Sequence, residues 1–310
     1  MSPKSRFYNY KPSLAAPIIF TIAFAAMSLL ACFQFYRALK NPTASKLDKR
    51  RTLIVIPFIF GGLCEIVGCI CRIINSQDPN AKNPFIVQAV LLLVAAALFA
   101  ATIYMILGRI IAMLNSAHQS LVPVKWLTKI FVLGDVISFL MQGIGASVRA
   151  ADPSKSDHAE RIIIGGLFVQ IGFFGVFIIV AALFQYKVWR NPSVYSFQDN
   201  WQTILITLFV CSILILVRCI IRAVEYLQGY DGFIISNEAF LYTLDLLLMF
   251  LNMVLLSWQD NCAYFVEVGP LSRDENFINS KQMSFRLEQE KLSGPIAESD
   301  SFRDEARTMV

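Results

Sequence analysis

Seven stretches of this chain stay apolar for long enough to cross a bilayer, and most of its polar positions fall between and beyond them. A hydrocarbon core about 30 Å thick asks for roughly 20 apolar residues of helix. The pattern places spans at 14–36, 53–73, 86–110, 127–149, 162–186, 202–223 and 239–258. The runs 14–36, 84–108 and 162–186 hold no charged side chain, whereas the other four stretches carry isolated charges. The expected fold is all-α: a polytopic membrane protein whose residues 14–258 form one seven-transmembrane-helix bundle. A short extracellular segment, 1–13, precedes it. The tail, 259–310, is rich in Ser, Glu, Asp, Arg and Lys and reads as disordered.

Composition agrees with this reading, since 56% of the residues are hydrophobic and only 16% charged. That hydrophobicity matches lipid rather than an oversized core. The net charge of +5 does not point to nucleic acid, because the basic residues cluster in short connections beside spans. Arg37, Lys40, Lys46, Lys49, Arg50 and Arg51 face a single acid, Asp48, around the first loop. By the positive-inside rule this loop is cytoplasmic, which puts the N-terminus outside and the C-terminus in the cytoplasm. Lys125 and Lys129, then Lys187 and Arg190, agree with that orientation. Six cysteines lie inside spans and Cys262 just beyond the last, so no extracellular disulfide is expected. The first apolar run lacks a small-residue cleavage site and reads as a retained span.

Ionisable groups inside a bilayer need a partner or a cavity. Glu65, Gly68 and Arg72 share one face of the second span, and Asp135, Ser138 and Gln142 repeat that spacing in the fourth. Arg218, Arg222 and Glu225 share a face of the sixth. In the seventh, Glu238, Tyr242, Asp245, Met249 and Asn252 form one stripe. The simplest expectation is that these four faces meet in the bundle interior as a charge network opening outward. Arg72, Arg218, Arg222, Glu225 and Asp135 would build that network. Glu65, Asp245, Gln142, Tyr242 and Glu238 would receive a cationic head group. The plainer reading makes Glu65–Arg72 and Arg222–Glu225 salt bridges that fix helix packing. Glu65 and Asp245 stand out because neither has an oppositely charged neighbour at i±3 or i±4 on its own helix.

Other residues have bland roles. Gly165, Gly166, Gly172 and Gly175 are expected at close helix contacts, and Trp126, Trp189, Trp201 and Trp258 at the membrane interfaces. The alanine-rich third span reads as a packed central helix. Both histidines, His118 and His158, fall in expected loops, so no pair is expected to ligate a transmembrane haem. No metalloprotease motif, intramembrane Ser-His pair or phosphate-cradling glycine loop occurs, and the seventh span has no lysine for a retinal Schiff base. The chain is therefore expected to be no enzyme, with no catalytic residue, no metal and no cofactor. Its last residues, Thr308-Met309-Val310, match a strand-addition ligand for a PDZ-type domain, which keeps a tail-binding cytoplasmic protein open as a partner.

Several motifs resemble the fungal RTA-like, or lipid-translocating exporter, family. Tyr8-x-Tyr10-x-Pro12-Ser13 looks like its N-terminal pattern, and Glu65-x-x-Gly68-x-x-x-Arg72 its second span, with Cys69 where tyrosine is usual. Ala100-Ala101-x-x-Tyr104-x-x-x-Gly108-Arg109 resembles the end of the third. Phe131-x-x-x-Asp135-x-x-Ser138-x-x-x-Gln142-x-x-Gly145 resembles the fourth, and Gly165-Gly166-x-x-x-Gln170 the fifth. The most specific stretch is Arg218-x-x-x-Arg222-x-x-Glu225-x-x-x-Gly229-x-x-Gly232, continued by Glu238-x-x-x-Tyr242-x-x-Asp245-x-x-x-Met249.

This resemblance implies seven spans, an outer N-terminus, and export or flipping of amphiphiles such as sphingoid long-chain bases, with resistance to toxic amphiphiles. The membrane implied is the fungal plasma membrane, with a vacuolar or other internal membrane as the alternative. The second functional reading is a seven-span lipid sensor that signals through its cytoplasmic loops and tail. In both readings the partner is a membrane lipid or amphiphilic small molecule.

Overall fold

The computed structural model describes residues 13–41, 52–77, 82–113, 124–151, 156–190, 201–228, 238–260 and Met283. Helix α1 spans Ala15–Lys40, and α2 spans Val55–Gln77 behind a 3-10 turn at Thr52–Ile54. Then come α3 (Lys82–Met113), α4 (Val124–Ala151), α5 (Ser156–Arg190) and α6 (Trp201–Leu227). Helix α7 runs from Glu238 to Trp258 and is interrupted by a π-helical turn, Tyr242–Leu246. All seven are long and apolar enough to cross a membrane, and no strand occurs among the described residues. Expectations for the N-terminal residues 1–12, most of the basic first loop and nearly all of the tail lie outside the described residues.

Several helices run past their apolar stretches, because a helix does not stop where hydrocarbon does. Helix α5 has 35 residues, with Asp157 in its first turn and Lys187 and Arg190 in its last. At 1.5 Å per residue it is about 50 Å long, so its ends project beyond a hydrocarbon core. The acid at its start and the bases at its end also suit the helix dipole.

Helix α3 is the centre of the bundle: 61% of its most apolar 18-residue stretch is buried, against 22% for that of α1. Its small residues Ala95, Ala96 and Ala100 are fully enclosed and let neighbours come close. Sequential helices pack as neighbours, α3 also packs against α6, and α1 closes the ring against α7. An aromatic cluster of Tyr104, Phe131, Phe174 and Phe177 fills the space between α3, α4 and α5, with the Tyr104 and Phe177 ring centroids 4.5 Å apart. The outer face is apolar, as lipid requires, with Ile19, Leu29, Ile144 and Ile179 exposed.

The expected glycine contacts divide. A Cβ on Gly166 would lie 2.9 Å from the Ser138 carbonyl oxygen and 3.0 Å from Gln142 Cγ, so its small size lets α5 meet α4. A Cβ on Gly165 would meet only the end of Met141, at 3.4 Å. Gly172 and Gly175 have nothing within 4 Å, so the expectation that they mediate close packing is corrected: these positions face away from the seams. Gly61, Gly62, Gly134 and Gly145, which sequence reasoning leaves unmarked as contacts, also meet close neighbours, and a Cβ on Gly145 would lie 2.8 Å from the Ala159 carbonyl. Trp126, Trp189 and Trp258 are all more than half exposed, near helix ends, as interfacial anchors would be.

Candidate functional site

Three polar faces converge where α2 and α6 pack against α3 and α7 packs against α6. Glu65 lies midway along the span Thr52–Gln77. Arg218 and Asp245 lie about a third of the way in from the end where α6 gives way to α7. The Arg218 guanidinium ties three helices together: Nε pairs with Asp245 Oδ1 on α7, and a terminal nitrogen donates to the Leu92 carbonyl of α3 at 3.1 Å. Both members of the pair are sealed from solvent, Arg218 at 1% and Asp245 at 3% exposure. A pair this dry holds together only while both partners remain, because either charge alone would be uncompensated.

Glu65 stands beside this pair without joining it. It is 0% exposed, and neither carboxyl oxygen has a hydrogen-bond donor. Asp245 and Arg218 are its electrostatic neighbours. The expected Glu65–Arg72 bridge is therefore corrected. Seven residues of helix separate their Cα atoms by about 10 Å along the axis, and Arg72 places its guanidinium 5.8 Å from the centre of the Tyr242 ring. Tyr242 also stacks on Phe20 of α1, with centroids 5.9 Å apart and the rings 9° from parallel. Arg222 does form the expected bridge, donating to Glu225 at 2.9 Å.

The π-helical turn falls on this site. It contains Tyr242 and Asp245, and the Leu247 N–H closes it on the Tyr242 carbonyl. Such single widened turns inside α-helices recur at functional sites. Below it Asn252 donates to the Cys211 carbonyl at 3.1 Å and keeps α7 on α6. Glu238 opens α7, and its side chain lies outside those described.

The fourth-span face turns elsewhere, which corrects the expectation of a single four-helix network. Asp135 accepts a hydrogen bond from the Tyr104 hydroxyl of α3 at 3.0 Å. Gln142 donates to Ser138 at 2.9 Å and to Gln170 of α5 at 3.2 Å. These buried groups bond one another within α3, α4 and α5, with Asp135 Oδ1 left without a donor, so Gln142 belongs to a packing seam rather than to the Glu65 site. Cys219, next to Arg218 on α6, lies near both Asp135 and Asp245. Tyr104, Gln170 and Phe20 were not singled out as site residues. The first two gave a signal, being isolated polar groups in apolar helices, and Phe20 gave none.

No group of three or more His, Cys, Asp or Glu residues suited to a metal ion occurs among the described residues. The site offers instead two carboxylates and a guanidinium enclosed by aromatic and aliphatic side chains. That arrangement can exchange one cationic partner for another on a carboxylate.

Comparison with known proteins agrees in class. A family model described as RTA1 like protein matches residues 58–267. Protein RTA1 of Saccharomyces cerevisiae is 40% identical over 258 residues, which is 79% of this chain and 81% of that protein. Protoporphyrin uptake protein 1 of the same species is 39% identical over 274 residues, 81% of this chain and 90% of that protein. A third yeast relative, sphingoid long-chain base transporter RSB1, is 21% identical over 238 residues, covering 65% of this chain and 62% of its own length. No solved structure matches. With seven membrane-crossing helices and a family match that includes the whole Glu65–Arg218–Asp245 cluster, this multi-pass membrane protein belongs to the RTA1-like family.

Proposed function

We propose that this protein moves amphiphilic lipids with a cationic head group, such as sphingoid long-chain bases, across a fungal plasma membrane and thereby protects the cell from toxic amphiphiles. The observation that carries the reading is Glu65: a fully enclosed carboxyl, without a donor, at the middle of a membrane span. A group like this is costly to keep in a bilayer and marks a substrate or ion pathway. One relative is named for protoporphyrin uptake and another for sphingoid long-chain base transport, which supports the same class.

In this reading a primary ammonium, with three N–H donors, enters beside Glu65 and finds acceptors on Glu65 and on Asp245. Its apolar tail stays among lipid-like surroundings, so only the head group needs a polar route. The structure is closed around the site, and opening requires helices to part. Helix α1 is the least enclosed of the seven and covers the α7 turn through the Phe20–Tyr242 stack. Parting α1 from α7 would uncover Tyr242 and, behind it, Asp245. With the N-terminus outside, Arg218 and Asp245 lie in the outer half and Asp135 in the inner half, which gives polar groups on both sides of Glu65.

Proteoliposomes holding only the purified full chain test this proposal. A fluorescent long-chain base should cross them at least tenfold faster than empty liposomes. Saturable binding of the same base without movement would overturn transport and favour a lipid sensor.

A further inference from the structure

Among the described residues, Glu65 is the carboxylate of the buried cluster that no cation pairs with. Arg218 from α6 and Asp245 from α7 neutralise each other, and Glu65 faces both of them. Its own helix adds Cys64 and Cys69 nearby, and Arg72 one turn beyond Gly68, whose guanidinium is turned to the Tyr242 ring. Helices α1 and α3 carry their charged residues only towards their ends, so they bring no charge to Glu65. A lone carboxylate in so dry a place is unfavourable by several kcal/mol or more. It must hold either a proton or a cation in every closed state. An inorganic cation suits the site poorly, since no metal-binding cluster exists among the described residues and the Arg218 guanidinium stands beside it.

We propose that Glu65 is a one-for-one exchange site for a proton and the substrate's ammonium head group, so that export of the lipid is driven by protons entering the cell. This inference rests on the transport reading above and assigns its energy source. The step balances simply. The Glu65 carboxylic acid releases its proton to water on the cytoplasmic face, and the carboxylate takes the ammonium in its place. On the outer face the ammonium leaves and the carboxylate takes a proton again. Only an O–H bond breaks and re-forms, and the cluster carries the same net charge in both loaded states. One positive charge moves out and one moves in, so the exchange is electrically silent. Arg218 and Asp245 remain paired throughout and hold the second carboxylate neutral.

The test uses the full chain in proteoliposomes with a pH-sensitive dye inside and the membrane potential set by potassium and valinomycin. The probe is a trimethylated long-chain base, whose fixed charge cannot itself carry a proton. The expected result is counterflow of one proton per molecule moved, unaffected by the imposed potential. Both fluxes should vanish in Glu65→Gln and persist in Glu65→Asp, with both variants melting within a few degrees of the native chain. Probe movement without proton counterflow, movement that follows the potential, or counterflow that survives Glu65→Gln would each overturn the exchange while leaving transport intact. Movement of the primary base but not of the trimethylated one, persisting in Glu65→Gln, would overturn it too, because the lipid would then cross uncharged. No movement of either base in the native protein would instead defeat the transport reading.

Discussion

Replacing Arg218 by methionine should lower the stability of the bundle by about 3–5 kcal/mol, the usual loss when one member of a buried ion pair is removed. The substitution leaves Asp245 charged and enclosed beside Glu65, and it releases the Leu92 carbonyl that binds α6 to α3. Chemical unfolding of the purified protein in detergent would measure the loss. A double replacement, Arg218→Met with Asp245→Leu, should recover most of it, because an apolar pair of similar volume often packs as well as a buried ion pair. A single variant as stable as the native chain would show that the pair does not hold the three helices together.

Glu65→Gln should do the opposite, removing function while sparing the fold. Glutamine is nearly isosteric and the Arg218–Asp245 pair does not depend on Glu65, so stability should stay level or rise by about 1 kcal/mol as an uncompensated buried group is replaced by a neutral one. Movement of a long-chain base should nevertheless fall at least tenfold, because the head group loses its charged acceptor. Asp245→Asn is a poorer probe: it strands Arg218, and any loss of transport would be mixed with loss of fold. A Glu65→Gln protein that transports normally would remove Glu65 from the pathway.

The contrast between these two carboxylates was only half legible in the sequence. The seven helices could be read from apolar run length alone, since the bilayer sets one length and the chain meets it seven times. Helical spacing identified Glu65, Arg218, Asp245, Asn252 and Asp135 as inward-facing, and all five are buried. What spacing cannot supply is the rotation of one helix against the next. Glu65 and Asp245 looked alike because both lacked a partner on their own helix, yet Asp245 finds Arg218 across the α6–α7 seam. The fourth-span stripe looked like its counterparts in the second, sixth and seventh. It turned instead towards Tyr104 and Gln170, single polar residues whose helices otherwise show no polar stripe. The π-helical turn had no forewarning, for Tyr242–Leu246 contains neither proline nor glycine. Gly172 and Gly175 resembled packing glycines in type, but only the fold decides which face of α5 meets α4.

The central claim, that a cationic head group comes to rest between Glu65 and Asp245, is tested most directly by photolabelling. A long-chain base carrying a diazirine next to its amine would be bound to the purified protein, activated by light and mapped by mass spectrometry. The account predicts adducts on α2 near Glu65 and on α7 near Asp245, reduced by excess unlabelled base and by Glu65→Gln. Saturable adducts confined to other helices, and unchanged by Glu65→Gln, would contradict it.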